Sequence, residues 1–261
     1  MQINNTTSIS SLGLAIDGKY YLNNSELIYL IDDSYDIVVD GNVKLIDITE
    51  NKNINILGNK NSVINYFTIY GNNGTKKFNI KGELNYLEIA IKASKEIINI
   101  YLLEENAQAL AKVLALADGM NSNFIENIEH KAPNTISNIT NVGVSMNTSG
   151  IVFDTTGKIE KEMKNSKCSQ LSRGIVMDND SYITAKPILL IDEFDCFANH
   201  GASIGKMSDE DLFYLMSRGL SKNDAFLLIL KGIINPFIDS LPFEELKSDI
   251  LEKITNLIEK W

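Results

Sequence analysis

The chain predicts a mainly β domain followed by a small helical module, and three observations carry that reading. Short apolar runs rich in Ile, Val, Leu and Tyr recur from about residue 20 to 197, each closed by Asn, Asp or Gly, residues suited to tight turns. The strong helices that would separate the strands of a doubly wound sheet are lacking. After residue 205 the apolar spacing changes from alternation to the three-and-four pattern of a helix. A chain of 261 residues holds one long domain, or one domain with an appendage, and has ample material for a core.

Taken in order, strands are expected over 27–31, 37–39, 43–48, 54–57, 63–70 and 84–91. Asp40-Gly41, Gly58-Asn59, the run from Gly71 to Gly74, and Lys81-Gly82 punctuate them, because these residues accept positive φ. Further runs fall at 122–130, 135–144, 150–154, 175–177 and 183–191. A last strand over 193–199 ends at His200, where Gly201 lets the chain turn. The segment 106–117 (NAQALAKVLALA) has the composition of a helix, with Asp118-Gly119 as a stop. On pattern alone, such short, evenly spaced strands fit a sandwich, a barrel or a β-solenoid.

Three helices follow. Ser208 with Asp211 forms a capping-box-like start, Leu212, Leu215 and Met216 share a face, and Gly219 ends the helix. Ser221 caps a second helix lined by Ala225, Leu228, Ile229 and Gly232 or Ile233 and stopping before Pro236. Pro242 opens a third, with Leu246, Ile250, Ile254 and Leu257 at helical spacing and Trp261 expected beneath it.

Bulk chemistry excludes several functions. A net charge of −10 disfavours a nucleic-acid partner, since phosphates need clustered Lys and Arg. Two cysteines, far apart in the chain, make no secreted disulfide framework and fall short of the roughly four ligands of a self-contained iron-sulfur cluster. No GxxxxGK[ST] run is present, so ATP hydrolysis by a P-loop would have to come from a partner. No signal peptide and no membrane-spanning run are visible, and a cytoplasmic location is expected.

Four motifs in order carry a family resemblance: HKAPNT from His130, GKIEK from Gly157, SKCSQLSR from Ser166, and the stretch from Pro187 to Leu220 containing PILLIDE, Asp195, His200, Ala202, Ser203, Gly205 and LFYLMSRGL. They resemble the SufB/SufD group of iron-sulfur cluster assembly scaffold proteins, and SufD more than SufB. The likeness covers roughly the second half of the chain. It implies a right-handed parallel β-helix over 1–205 and a C-terminal helical, ATPase-binding module over 206–261, and it turns 106–117 into a strand with Glu104-Glu105-Asn106 as its turn.

The resemblance further implies a scaffold subunit rather than an enzyme, paired with a SufB-like chain or a second copy of itself and docking the ABC-type ATPase SufC. A transient iron-sulfur cluster would be shared at the subunit interface, with none held by this chain alone. His200 matches the histidine implicated in assembly at that junction, and neutral imidazole is a good iron ligand. Cys196, four residues earlier, would share a strand face with His200 and so is an outside metal candidate. Cys168 is a weaker one, and Asp192, Glu193 and Asp195 are solvated carboxylates close by. His130 is a structural residue beside a Pro133-Asn134 turn. In the helical module Phe213, Tyr214, Met216 and Arg218 are the candidate ATPase contacts.

Two departures matter. Ser172 occupies the position of the SufB acceptor cysteine, and a serine cannot carry a persulfide. Gly201 replaces the SufB glutamate that follows the motif histidine. The competing readings are a diverged, non-catalytic β-solenoid interaction protein and a β-helix polysaccharide lyase, which would need an acid-base cluster in an exposed groove.

Overall fold

The structure, a computed structural model, describes residues 7–8, 16–24 and 27–259. The first strands are β1 (Thr7–Ser8), β2 (Tyr20–Leu22), β3 (Ile28–Leu30), β4 (Tyr35–Val39), β5 (Asn42–Asp47) and β6 (Lys52–Gly58). The middle ones are β7 (Val63–Tyr70), β8 (Asn73–Ile80), β9 (Glu83–Ala90), β10 (Lys95–Leu102), β11 (Gln108–Asp118) and β12 (Asn121–His130). The last are β13 (Ile136–Met146), β14 (Gly150–Ile159), β15 (Lys167–Val176), β16 (Tyr182–Ile191) and β17 (Phe197–Gly205), followed by helices α1 (Asp209–Ser217), α2 (Lys222–Ile238) and α3 (Glu244–Glu259).

Odd strands form one nine-stranded sheet and even strands an eight-stranded sheet, every neighbour pair parallel. Each coil therefore gives one strand to each sheet, which is a parallel β-helix. Its coils widen along the chain: the step from Tyr20 to its register partner Ile37 is about half the step from Phe153 to its partner Ala185. Strand length grows from 3 residues in β2 to 11 in β11 and β13. No constant repeat length exists, which is why none is visible in the sequence.

Alternation builds the interior. Along β12 every second residue (Ser122, Phe124, Glu126, Ile128, His130) is buried between the sheets. Aromatic rings stack from coil to coil, Tyr66 on Tyr86 at 5.8 Å and Phe124 on Phe153 at 5.5 Å between centroids. At corners the chain takes positive φ on asparagines, including Asn106, Asn134 and Asn165, whose short polar side chains tolerate that region. Gly74 is needed for a different reason: a Cβ there would sit 2.2 Å from the carbonyl oxygen of Lys52 on the neighbouring coil.

The helices fold back along the outside of the odd sheet. Phe226, Leu230, Ile234 and Phe237 of α2, with Leu246, Ile250, Ile254 and Ile258 of α3, bury an apolar stripe running from Tyr29 and Ile46 through Leu87 and Leu114 to Val144 and Ile175. Tyr70 donates a hydrogen bond to Asp249 of α3, and Lys253 lies 5.0 Å over the Tyr70 ring. No helix among the described residues is long and apolar enough to cross a membrane.

Several expectations need correction. The segment 106–117 is a strand, as the resemblance implies and its helix-like composition does not: Ala107 N–H closes a turn on Glu104 C=O at 3.1 Å and β11 follows. Strands β8 and β10 fall outside the runs expected from apolar pattern. The buried face of α2 carries Phe226, Leu230 and Ile234, while Leu228 is exposed, and Pro236 lies inside the helix, not beyond it. In α3, Ile258 rather than Leu257 completes the buried row. Trp261 lies outside the described residues.

Candidate functional site at the open end of the solenoid

The last coil has no coil above it. In β16 and β17, inward positions other than Ile183 stand half-buried or exposed, and Phe194, Phe197, Leu190 and Ile204 are exposed. Among the described residues, each of these strands pairs on one side only. The outer edges of both are therefore rows of unpaired backbone donors and acceptors.

His200 sits in the middle of β17, not at a strand end, and Gly201 is ordinary extended backbone within the strand rather than a turn. Register explains the aim of the imidazole. Ile139, Gln170 and His200 are consecutive rungs of one inward-facing row, so His200 is the terminal rung, exposed because nothing covers it. Two parallel rows are Ser137, Cys168, Ala198 and Asn141, Ser172, Ala202.

The cysteines do not join His200. Cys196 precedes β17 and belongs to the corner, where its thiol donates to Glu193 C=O at 3.1 Å. Partial burial, then the charges of Glu193 and Asp195, push its pKa up, so the thiol keeps its proton. Cys168 is fully buried one coil down, and burial raises its pKa too. The Glu193 carboxylate is occupied by the corner itself, accepting the N–H groups of Asp195 at 2.9 Å and Glu162 at 2.8 Å, and the first of these bonds leads in holding its pKa down. Among the described residues, no group of three or more His, Cys, Asp or Glu is placed to hold a metal ion. Ser172 lies within β15 and points into the solenoid, 4% exposed.

Beneath the open end the interior is polar, a feature that apolar periodicity does not disclose. His130 is fully buried, its Nδ1 2.7 Å from Thr135 Oγ1 and its Nε2 2.8 Å from Ser137 Oγ; burial lowers its pKa to about 4, so it is a neutral structural residue. Glu126 accepts from Asn141 Nδ2 at 2.5 Å and Thr155 Oγ1 at 2.7 Å, and burial outweighs those bonds to lift its pKa to about 7. A carboxyl whose folded pKa exceeds its unfolded value costs stability as pH rises between the two, because the unfolded chain releases that proton more readily. Glu126→Gln keeps both acceptor bonds and removes the titration. Relative to the parent, the variant should gain about 3 kcal/mol between pH 4.5 and pH 8, read by urea unfolding at the two pH values.

The second surface is α1, which buries no residue completely. Ser208 caps it by accepting from Asp211 N–H at 3.2 Å, and Gly219 ends it at φ +99°. Leu212 packs, half-buried, on the apolar stripe below, while Phe213 is 74% and Tyr214 57% exposed. Met216 is exposed as well, and the Arg218 guanidinium lies 5.3 Å over the Tyr214 ring. Met216 and Leu212 thus do not share one buried face. The helix presents an aromatic and cationic patch to solvent.

Comparison with known proteins gives this geometry a family. Residues 46–233 match the SUF system FeS cluster assembly, SufBD core domain, a span that reaches into the first half of the chain. The iron-sulfur cluster assembly protein SufD of Bacillus subtilis (strain 168) is 35% identical over 132 residues, covering 51% of this chain and 30% of that protein. An iron-sulfur cluster assembly SufBD family protein of Staphylococcus epidermidis (strain ATCC 12228) is 28% identical over 202 residues, covering 73% of this chain and 43% of the relative. The chain thus spans less than half the length of these relatives. With the core-domain match covering most of a two-sheet parallel solenoid, the chain belongs to the SufBD family of iron-sulfur cluster assembly proteins.

Proposed function

We propose that the chain is a SufD-like scaffold subunit, joined through its open solenoid end to a SufB-like chain and carrying a SufC-type ABC ATPase on α1. The uncovered last coil carries this reading. Two unpaired strand edges of 9 and 10 residues, flanked by exposed Leu190, Phe197 and Ile204, form a surface that isolated proteins normally shield, and a second solenoid end would satisfy both edges and the apolar rim. His200 would lie inside that joint, where a neutral imidazole can offer one iron ligand to a cluster completed by the partner. The two cysteines are protonated and turned away, so sulfur would arrive on the other subunit, in keeping with Ser172. A second copy of this chain could fill the same joint.

The test is the joint itself. Ile204→Lys places a charge at the exposed end of an inward-facing row and should abolish co-elution with a SufB-like partner. Its thermal midpoint should stay within a few degrees of the parent, because the side chain is exposed in the isolated subunit. Unchanged co-elution would exclude this surface as the joint.

A further inference from the structure

We propose that Gln170 is a positioning residue for His200: its Oε1 accepts a ring N–H of His200, which fixes one imidazole tautomer and leaves the other nitrogen's lone pair free for iron. The inference rests on the reading of His200 as a cluster ligand given above.

Three observations lead to it. Gln170 and His200 are register partners on β15 and β17 and share the inward face. In parallel strands such neighbours stack about 4.8 Å apart, within reach of a hydrogen bond between a glutamine amide and an imidazole. Gln170 is 3% exposed, and its amide is anchored by one end only: Nε2 donates to Ile188 C=O at 3.3 Å, while Oε1 has no partner among the described residues. That anchoring also sets the orientation of the amide, because the nitrogen must face the Ile188 carbonyl and the oxygen is left over. No side-chain hydrogen bond joins the His200 imidazole, one rung above, to any described residue either, so the two groups stand unpaired on neighbouring rungs and the proposed bond needs a side-chain rotation to close.

A buried acceptor without a donor is costly, and a donor without an acceptor is its complement. Ligating histidines commonly give their second N–H to a fixed acceptor, which sets the ring orientation and raises the basicity of the ligating nitrogen. Here the acceptor would lie one coil below, held by the opposite sheet through Ile188. Residues that face the pair from that sheet, Pro187 and Leu189, carry no charge and offer no competing side-chain acceptor.

The test is imidazole ¹H–¹⁵N correlation on the ¹⁵N-labelled chain at pH 9, where imidazole is neutral; with only two histidines in the chain, assignment is direct. His200 should show a single tautomer. Gln170→Leu should move it to the mixture of free imidazole, and Gln170→Glu, which keeps an acceptor while losing the bond to Ile188, should preserve the single form. A wild-type His200 already showing the free-imidazole mixture overturns the proposal without any variant, as does an unchanged tautomer in Gln170→Leu. In cells, Gln170→Leu should lower cluster assembly about tenfold, with Gln170→Glu restoring most of it. If the tautomer results hold but His200→Ala leaves assembly intact, the hydrogen bond stands and the cluster-ligand reading falls.

Discussion

Lys76→Met should destabilise the protein by about 3–5 kcal/mol and lower its thermal midpoint by roughly 10 °C. Lys76 is 3% exposed inside the middle coils, paired with Glu96 and lying 3.8 Å from Asp47 Oδ2. Burial disfavours its ammonium, but Glu96, Glu88 and Asp47 together outweigh that cost and hold its pKa above the ordinary value. Asp47 accepts from Tyr66 OH at 2.6 Å and Thr49 Oγ1 at 2.7 Å, so these coils are tied together through its carboxylate. Methionine matches the volume of lysine yet leaves the carboxylates of Asp47 and Glu96 buried without a cation, the costly way to break a buried pair. Glu88→Gln is the contrasting case. Burial, then the neighbouring Glu96, push the Glu88 carboxyl well above the usual range, so of these carboxyls it gives up least on becoming a neutral amide, and the variant should lose far less stability than Lys76→Met, about 1 kcal/mol. Equal losses in the two variants, measured by thermal and urea unfolding, would contradict this charge assignment.

The second large effect is expected at α1. If this helix docks the ATPase, Phe213→Ala with Tyr214→Ala should weaken capture of a SufC-type ATPase by at least about a hundredfold, as the loss of paired aromatic anchors does at other interfaces. Both side chains are more than half exposed in this structure, so the unfolding of the chain itself should be unaltered. Arg218→Ala should have a smaller, salt-dependent effect, because its guanidinium rests on Tyr214 and faces solvent. Surface plasmon resonance with the ATPase immobilised separates these outcomes, and undiminished binding of the double variant would move the dock elsewhere.

The buried charges also explain which strands the sequence hid. The strand Asn73–Ile80 carries Lys76 on its inward face, and Lys95–Leu102 carries Glu96, so each shows a charge where alternation demands an apolar residue. The pair satisfies itself between neighbouring coils, an exchange no local window can display. The segment 106–117 misleads in the opposite way: alanines suited to a helix are the small inward residues, Ala109, Ala111 and Ala115, that let the solenoid close against Tyr86 and its neighbours. In the helices, caps and stops are legible at Ser208, Ser221 and Gly219, because these are local hydrogen-bond and φ requirements. The buried face of α2 is not, since it depends on the sheet that the helix meets.

By itself the sequence determined the β character of the chain, its Asn and Gly corners, the change to helix after residue 205, and a SufB/SufD resemblance resting on motifs around His130, Gly157, Ser166 and His200. These are properties of short segments, fixed by side-chain periodicity and backbone preference. Only the tertiary structure decided between sandwich and solenoid without reference to a family, because each strand pairs with the next but one in the chain, across a separation that grows from Tyr20–Ile37 to Phe153–Ala185. It also moved Cys196 away from His200, as one residue of strand start decides which side chains share a face. And it set Gln170 beneath the histidine, a neighbour a full coil away along the chain that register alone brings into reach.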